Sequence, residues 1–440
     1  MLIKNGLLLD PVDGQERKTD ILIKEGVVAK IAPDLPVGEV RNVLDASNLW
    51  IAPGFIDIHT HLREIGQADR EDVGTGTMAA AAGGYTCVVT MANTEPPIDN
   101  GAILRVLLEK IEEKAHIEVL PIACVTKGME GNELTNMVEL AELGVAAFSD
   151  DGKPVSNLAV LRRALQYAAV SERVIISHPE DEHLSGGGVI HEGLTATKLG
   201  LPAIPGASEA ACISREIEVV RETGGRLHFG HVSLEASVNL IRRAKADGLP
   251  VTADATPHHI TLTVDDIVEF DSNYKMNPPL RTAADVAALV AGLADGTIDA
   301  IATDHAPHTS LDKEKPFEQA PFGVIGLETA FSLSYERLVK GAGVAALDFI
   351  AMLTTRPAAV LDLPAPSISE GQPASLVILD PQHTWIYDAK KGFSKSSNSP
   401  FSGRKLTGKA LLTFCRGTAV YKDERLLAAR LSQPGVGAGS

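Results

Sequence analysis

Short apolar, β-rich runs recur along the middle of the chain, and stretches with helical periodicity separate them. Eight such runs are found: Ile51–Ile58, Tyr85–Met91, Ile117–Val125, Val145–Phe148, Arg173–Ser177, Arg226–Gly230, Pro250–Ala253 and Ala300–Thr303, each bounded by Gly, Pro or polar residues. Runs this continuously apolar predict strands of a parallel sheet covered on both faces. Between them, Leu104, Leu107, Leu108 and Ile111 follow i, i+3, i+4, i+7, and Ile213, Ile217 and Val220 follow i, i+4, i+7 before Gly224-Gly225, a C-cap signal. Eight alternations of strand and helix predict an α/β fold, a (β/α)8 TIM-type barrel.

The ends of the chain follow a different rhythm. Asp20–Lys24 and Val27–Ile31 flank Glu25-Gly26, and Ala374–Leu379 and Lys409–Cys415 lie near the other end, all without helical period. They predict a small composite β-sandwich built from residues 1–52 and 365–430, enclosing a barrel over 53–364. From Leu431 the tail has too little apolar content to pack, and 431–440 is expected to be disordered.

Composition narrows the function classes. With 40 Lys+Arg against 57 Asp+Glu, the formal charge is −17, and no basic block offsets it, so nucleic acid and anionic membranes are unfavourable partners. Cys87, Cys124, Cys212 and Cys415 have no paired spacing, and the N-terminus lacks an apolar leader, so a soluble cytoplasmic protein in a reducing compartment is expected.

Barrel enzymes carry their chemistry at the C-terminal strand ends. Here the first run leads into His59 and His61, which share a face of the strand; the fourth ends in Asp150-Asp151, the fifth in His178, the sixth in His231 and the eighth in Asp304. Imidazoles and carboxylates converging on one mouth suit zinc, and one bridging anion allows two ions. Any one of these histidines could equally be a hydrogen-bonded strand-end residue; their coincidence on five strands favours a metal. Asp304 is placed to act as general acid/base. His116, His183, His191, His228 and His383 lack the strand-end position, and His258-His259 are adjacent, so these are assigned structural or surface roles. The polar stretch Thr309–Ala320, ahead of Pro321-Phe-Gly323, has the length of a lid or binding loop and is expected to order over substrate.

Taken together, the motifs Asp57-Ile-His-Thr-His-Leu-Arg-Glu64, Ala82-Gly-Gly-Tyr-Thr86, Asn93-Thr94, Phe148-Ser-Asp-Asp-Gly152, Asn273-Tyr-Lys-Met-Asn-Pro-Pro-Leu-Arg281, Ala302-Thr-Asp-His-Ala-Pro-His308 and Ala320-Pro-Phe-Gly323 resemble the dihydroorotases of the amidohydrolase superfamily, in the bacterial long-chain class, over nearly the whole chain. The resemblance implies two zinc ions, His59 and His61 as ligands of the first, His178 and His231 of the second, Asp151 as bridge, and Asp304 as ligand and acid/base. It implies that Arg63, Asn93 and His308 bind a substrate carboxylate, with His61 beside them, that Asn277 contacts the pyrimidine ring, and that Phe322 and Gly323 cap it. A guanidinium fork at Arg63 matches a carboxylate.

The implied reaction is the reversible cyclisation of N-carbamoyl-L-aspartate to L-dihydroorotate, in a homodimer or an assembly with aspartate transcarbamoylase. Three positions depart from the family pattern: Ile65 and Ala92, where proline is usual, and Pro179, where cysteine is common. None replaces a ligand. Allantoinases and dihydropyrimidinases are alternatives, but they resemble a pattern with a carboxylated lysine ending the fourth strand, and here the first lysine is Lys153, past the strand end. A non-catalytic subunit of aspartate transcarbamoylase would be expected to lose ligands that this chain keeps.

Overall fold

The computed structural model describes residues 1–432 except 39, 41 and 429. Eight parallel strands, Phe55–Thr60, Tyr85–Thr90, Glu118–Ala123, Ala147–Phe148, Val174–Ser177, Leu227–Phe229, Val251–Ala255 and Ala300–Ile301, pair in sequence order. The first and last are joined by a parallel bridge between Thr60 and His305 and by the His61 amide donating to the His305 carbonyl at 2.9 Å. The expected barrel is therefore present. Its helices follow the apolar stripes: in Gly101–Lys114, Leu104 and Leu107 are buried, and Asn100 caps the first turn by accepting from the amides of Ala102 and Ile103. Ala207–Thr223 stops at Gly224, whose φ of 67° closes the helix as the Gly-Gly signal implied.

One run was read too long. Ile51–Ile58 is two strands, Trp50–Pro53 in the second sheet and Phe55–Thr60 in the barrel, separated by Gly54. A Cβ on Gly54 would lie 2.1 Å from Thr86 Cγ2, so only glycine lets the chain pass from one sheet to the other here.

The second sheet has nine strands drawn from both chain ends, with Leu2–Asp10 at the fork where Val43–Asp45 and Trp50–Pro53 join it in parallel. Along Leu376–Leu379, Leu376 and Ile378 enter the core of this sheet while Val377 and Leu379 enter the barrel core, so the period-2 alternation serves two cores at once. Aromatic rings fill the join at the barrel end remote from His59: Phe55 meets Tyr85 edge-on at 5.7 Å and stacks on Phe331 at 6.0 Å. Leu431 and Ser432, expected in the unstructured tail, instead pair antiparallel with Leu44 and Val43, because the exposed edge of that strand offers backbone partners whatever the side chains. The remainder of the tail, 433–440, lies outside the described residues. No helix among the described residues is long and apolar enough to cross a membrane.

Candidate metal centre

The strand ends deliver the side chains expected of them. His59, His61 and Asp151 form one cluster of potential ligand atoms, and Asp151, His178 and His231 another, sharing the carboxylate; all are buried. His59 Nε2 lies 3.3 Å from Asp151 Oδ1 and 3.5 Å from Asp304 Oδ1. His61 Nε2 lies 3.0 Å from Asp304 Oδ1 and 3.5 Å from Asp151 Oδ2. On the other side, His178 Nδ1 and His231 Nε2 are each 3.6 Å from Asp151 Oδ1 and 2.9 Å from one another.

This arrangement fits metal ions better than it fits protons. Both ring nitrogens of His59 and Nδ1 of His231 are buried without a hydrogen-bond partner, a cost of about 1–3 kcal/mol for each group left so. Burial opposes charge on His59 and His178, yet Asp151 and Asp304 overcome it and raise His59 to about 9; Asp151, with Glu180, raises His178 to about 10. Burial would also raise the two carboxyls, but the surrounding imidazoles hold Asp151 and Asp304 well below the ordinary range. The centre therefore holds anionic carboxylates that need cations, and its imidazoles and carboxylates could hold a metal in place of the protons.

Three site residues adopt left-handed backbone: Arg63 at φ 55°, His231 at 38° and Asp304 at 46°. That conformation is unfavourable for residues with a Cβ and must be imposed by surroundings. At Asp304 the imposing group is Asp57, fully buried in the first strand, whose carboxylate accepts from the Thr303 amide at 3.1 Å, the Thr303 hydroxyl at 2.5 Å and the His59 amide at 3.1 Å. At His231 it is Asp254, which accepts the His231 amide at 2.8 Å while paired with His228 at 2.8 Å. His228 thus supports the centre from behind. Asp57 opens the first sequence motif but is given no role there, and Asp254, one residue past the seventh apolar run, is not singled out; the further signal in each case is a carboxylate inside an apolar strand.

The centre opens into a cavity of about 150 Å3 lined by His61, Arg63, Asn93, Asp151, Gly152, His178, His231, Asn277, Asp304, Ala306, Phe322 and Gly323. This is smaller than drug-sized pockets of roughly 300–1,000 Å3. Arg63 is buried, its Nε has no partner, and no carboxylate pairs with it among the described residues. Burial and the nearby Arg70 lower it to about 10, so it remains charged at neutral pH. Asn93 accepts from His61 Nδ1 at 2.9 Å and reaches the Asp151 carbonyl at 3.3 Å.

His308 stands apart from its expected partners. It does not line this cavity; its Nε2 is bonded to the Phe322 carbonyl at 2.7 Å, behind the cap, and its Nδ1 is buried without a partner. Gly323 has φ 135°, and a Cβ there would crowd Ala306 and His308 Nε2 at 2.8–3.0 Å. Asp150 also faces away, bonded to the amides of Val125 and Thr126 at 2.8 and 3.1 Å. Lys153 is exposed, leaving Asp151 at the middle of the ligand set. His259 ties the Thr256 hydroxyl to the Pro278 carbonyl, both at 2.8 Å, a structural role as expected.

A parallel barrel with imidazoles and carboxylates at its C-terminal mouth and a sheet built from both chain ends is an architecture that this chain shares with cyclic amide hydrolases. Over 96% of the chain the fold is similar to that of L-hydantoinase (dihydropyrimidinase) from Arthrobacter aurescens, with 25% identity, TM-score 0.85 and 96% of that chain covered. The sequence is more specific. Residues 49–237 match the family model described as dihydro-orotase-like. The chain is 45% identical over 423 residues to a dihydroorotase of Pelotomaculum thermopropionicum, covering 96% of this chain and 99% of that protein. It is 44% identical over 424 residues to one of Syntrophobacter fumaroxidans, covering 96% of each. The chain belongs to the dihydroorotase family.

Proposed function

We propose that this protein catalyses the reversible cyclisation of N-carbamoyl-L-aspartate to L-dihydroorotate, a step of pyrimidine (UMP) biosynthesis. The observation that carries this reading is the unpaired, buried Arg63 guanidinium in the wall of a small cavity whose floor is the imidazole–carboxylate centre. A buried cation without an anion is costly, and a substrate carboxylate removes that cost. Allantoinase-type chemistry with a carboxylated lysine has no support here, since Lys153 is exposed and Asp151 sits between the histidines. A non-catalytic role is disfavoured because all six candidate ligands remain together.

In this reading His59 and His61 would hold one zinc ion, with Asp304 beside them, and His178 and His231 would hold a second, with Asp151 shared between the two groups. When bound, the pair of ions supplies a hydroxide nucleophile near neutral pH and polarises the scissile ring carbonyl. Arg63, assisted by Asn93, binds the substrate carboxylate and fixes the angle of approach; His308, whose Nε2 is held by the Phe322 carbonyl, has only its unpartnered Nδ1 free to take part. Asp304, held ionised by its imidazole neighbours, accepts the nucleophile's proton and delivers it to the departing ring nitrogen. Asn277 contacts the ring, and Phe322 and Gly323 close over it. The barrel, residues 53–364, would carry the whole reaction, with 1–52 and 365–430 as a brace. Four buried free thiols support a reducing, cytoplasmic setting.

The test is the rate of L-dihydroorotate hydrolysis by the purified protein before chelation, after it, and after zinc is restored. Activity lost and regained with zinc supports the reading; no activity with zinc present overturns it.

A further inference from the structure

Glu180 lies two residues beyond His178 and belongs to none of the ligand or substrate sets above. It is mostly buried, at 16% side-chain exposure, and one of its oxygens makes two contacts. Oε2 is 3.1 Å from His178 Nε2, and it accepts from Asn277 Nδ2 at 2.7 Å; the same Nδ2 is 3.2 Å from His178 Nε2. The three side chains close a triangle between the end of the fifth barrel strand and the segment that follows the seventh.

Each edge of this triangle has a chemical consequence. Two groups approach His178 Nε2, the Glu180 carboxylate at 3.1 Å and the Asn277 amide nitrogen at 3.2 Å. The carboxylate is the nearer and the charged one and can only accept, so the hydrogen of neutral His178 resides on Nε2. The approach of Asn277 Nδ2, whose hydrogen goes to Glu180, is a contact between two donors that share one acceptor. His178 Nδ1 then presents a lone pair, and Nδ1 is the atom directed at Asp151 Oδ1 and His231 Nε2, where the ligand atoms converge. A carboxylate behind a metal-bound histidine fixes the tautomer and the ring, commonly at 10–100-fold in metal affinity. With the Asn277 amide nitrogen turned to Glu180, the free group of Asn277, which lines the cavity, is its carbonyl oxygen, an acceptor suited to a ring N–H.

We infer that Glu180 is a positioning residue with two duties: it sets the metal-binding tautomer of His178, and through the same oxygen it aims the Asn277 carbonyl at an N–H of a cyclic amide substrate. The first duty stands on geometry alone; the second rests on the proposed function.

The experiment compares Glu180→Ala, Glu180→Gln, Asn277→Ala and the Glu180→Ala/Asn277→Ala double variant, each checked for native thermal unfolding. Zinc affinity is measured by competition with a chromophoric chelator, and KM and kcat with L-dihydroorotate. Glu180→Ala is expected to weaken one of two zinc equivalents about 10–100-fold, with Glu180→Gln intermediate and Asn277→Ala unchanged. KM is expected to rise in both single alanine variants, and no further in the double variant than in Asn277→Ala. Unchanged zinc affinity in Glu180→Ala overturns the first duty, and KM increases that multiply in the double variant overturn the second. If the wild type binds zinc but does not hydrolyse L-dihydroorotate, the functional reading fails, while the zinc comparison still decides the first duty.

Discussion

The backbone at Arg63, His231 and Asp304 is bent into a conformation that none of the three would adopt alone. That backbone is held by neighbouring hydrogen bonds at His231 and beside Asp304, so substitutions confined to the side-chain head groups should separate chemistry from folding. Asp304→Asn keeps the shape but cannot accept a proton, and turnover is expected to fall roughly 10^2–10^4-fold with substrate binding retained; wild-type turnover would refute the acid/base role. Arg63→Met removes the unpaired guanidinium from the cavity wall. It should raise KM by about 30-fold or more, the scale of a charge-assisted pair near 2–3 kcal/mol, while zinc content stays unchanged. An unaltered KM would exclude Arg63 as the carboxylate partner. Asp304 was a candidate from the sequence because a carboxylate ends a strand there, whereas the role proposed for Arg63 came only through the family resemblance. Glu180, Asp57 and Asp254 were not candidates, because their roles depend on which backbone or imidazole they face.

At the scale of elements, the loop over Thr309–Ala320 is latched rather than loose. Lys313, buried within it, donates to the carbonyls of Ser272 and Pro321 at 2.9 Å and of Lys275 at 3.3 Å. In return Lys275 donates to the carbonyls of Phe317 at 2.8 Å and Glu318 at 3.0 Å and places its ammonium 4.6 Å from the Phe322 ring. Two reciprocal lysines thus join the cap at Phe322 to the segment bearing Asn277. The polarity that marked this stretch as a loop gave no sign of the latch, since lysines with only carbonyl partners are indistinguishable from solvated ones in a sequence. Burial lowers Lys313 from 10.5 to about 7. Because the folded pKa lies below the unfolded one, the unfolded chain binds more protons across that window, and this group makes stability rise with pH from about 7 towards 10. Lys313→Met should flatten the gain in urea midpoint between pH 7 and about 9.5 and speed proteolytic nicking within 309–321. An identical pH profile and an equally resistant loop would show that the latch has no energetic role.

For the molecule as a whole, the metal centre joins strands from opposite sides of the barrel, so its ligands are also structural links. A metal that binds only the folded chain stabilises it by mass action, about 2.7 kcal/mol at a hundredfold excess over Kd. Chelation is therefore expected to lower Tm and abolish activity together, with both restored by zinc. Loss of activity without any change in Tm would place the metal outside the folded-state linkage. The barrel closes where Asp57 and Thr303 lock the first strand to the last, and at its other end Trp50 of the second sheet meets Phe331, which stacks on Phe55 of the first barrel strand. That dual use of Leu376–Leu379 explains why this end of the chain read as short alternating strands.

The sequence alone determined the alternating barrel, the second sheet from both ends, and which imidazoles and carboxylates are candidate ligands, because periodicity and residue type at strand ends are local properties carried by the chain itself. Only the tertiary structure decided where Ile51–Ile58 divides at Gly54, that Asp151 and not Asp150 enters the centre, that His308 lies behind the cap, and that Glu180 joins His178 to Asn277. Each of these depends on a contact between residues distant in sequence or on a backbone turn that the contact enforces, and neither leaves a trace in local spacing.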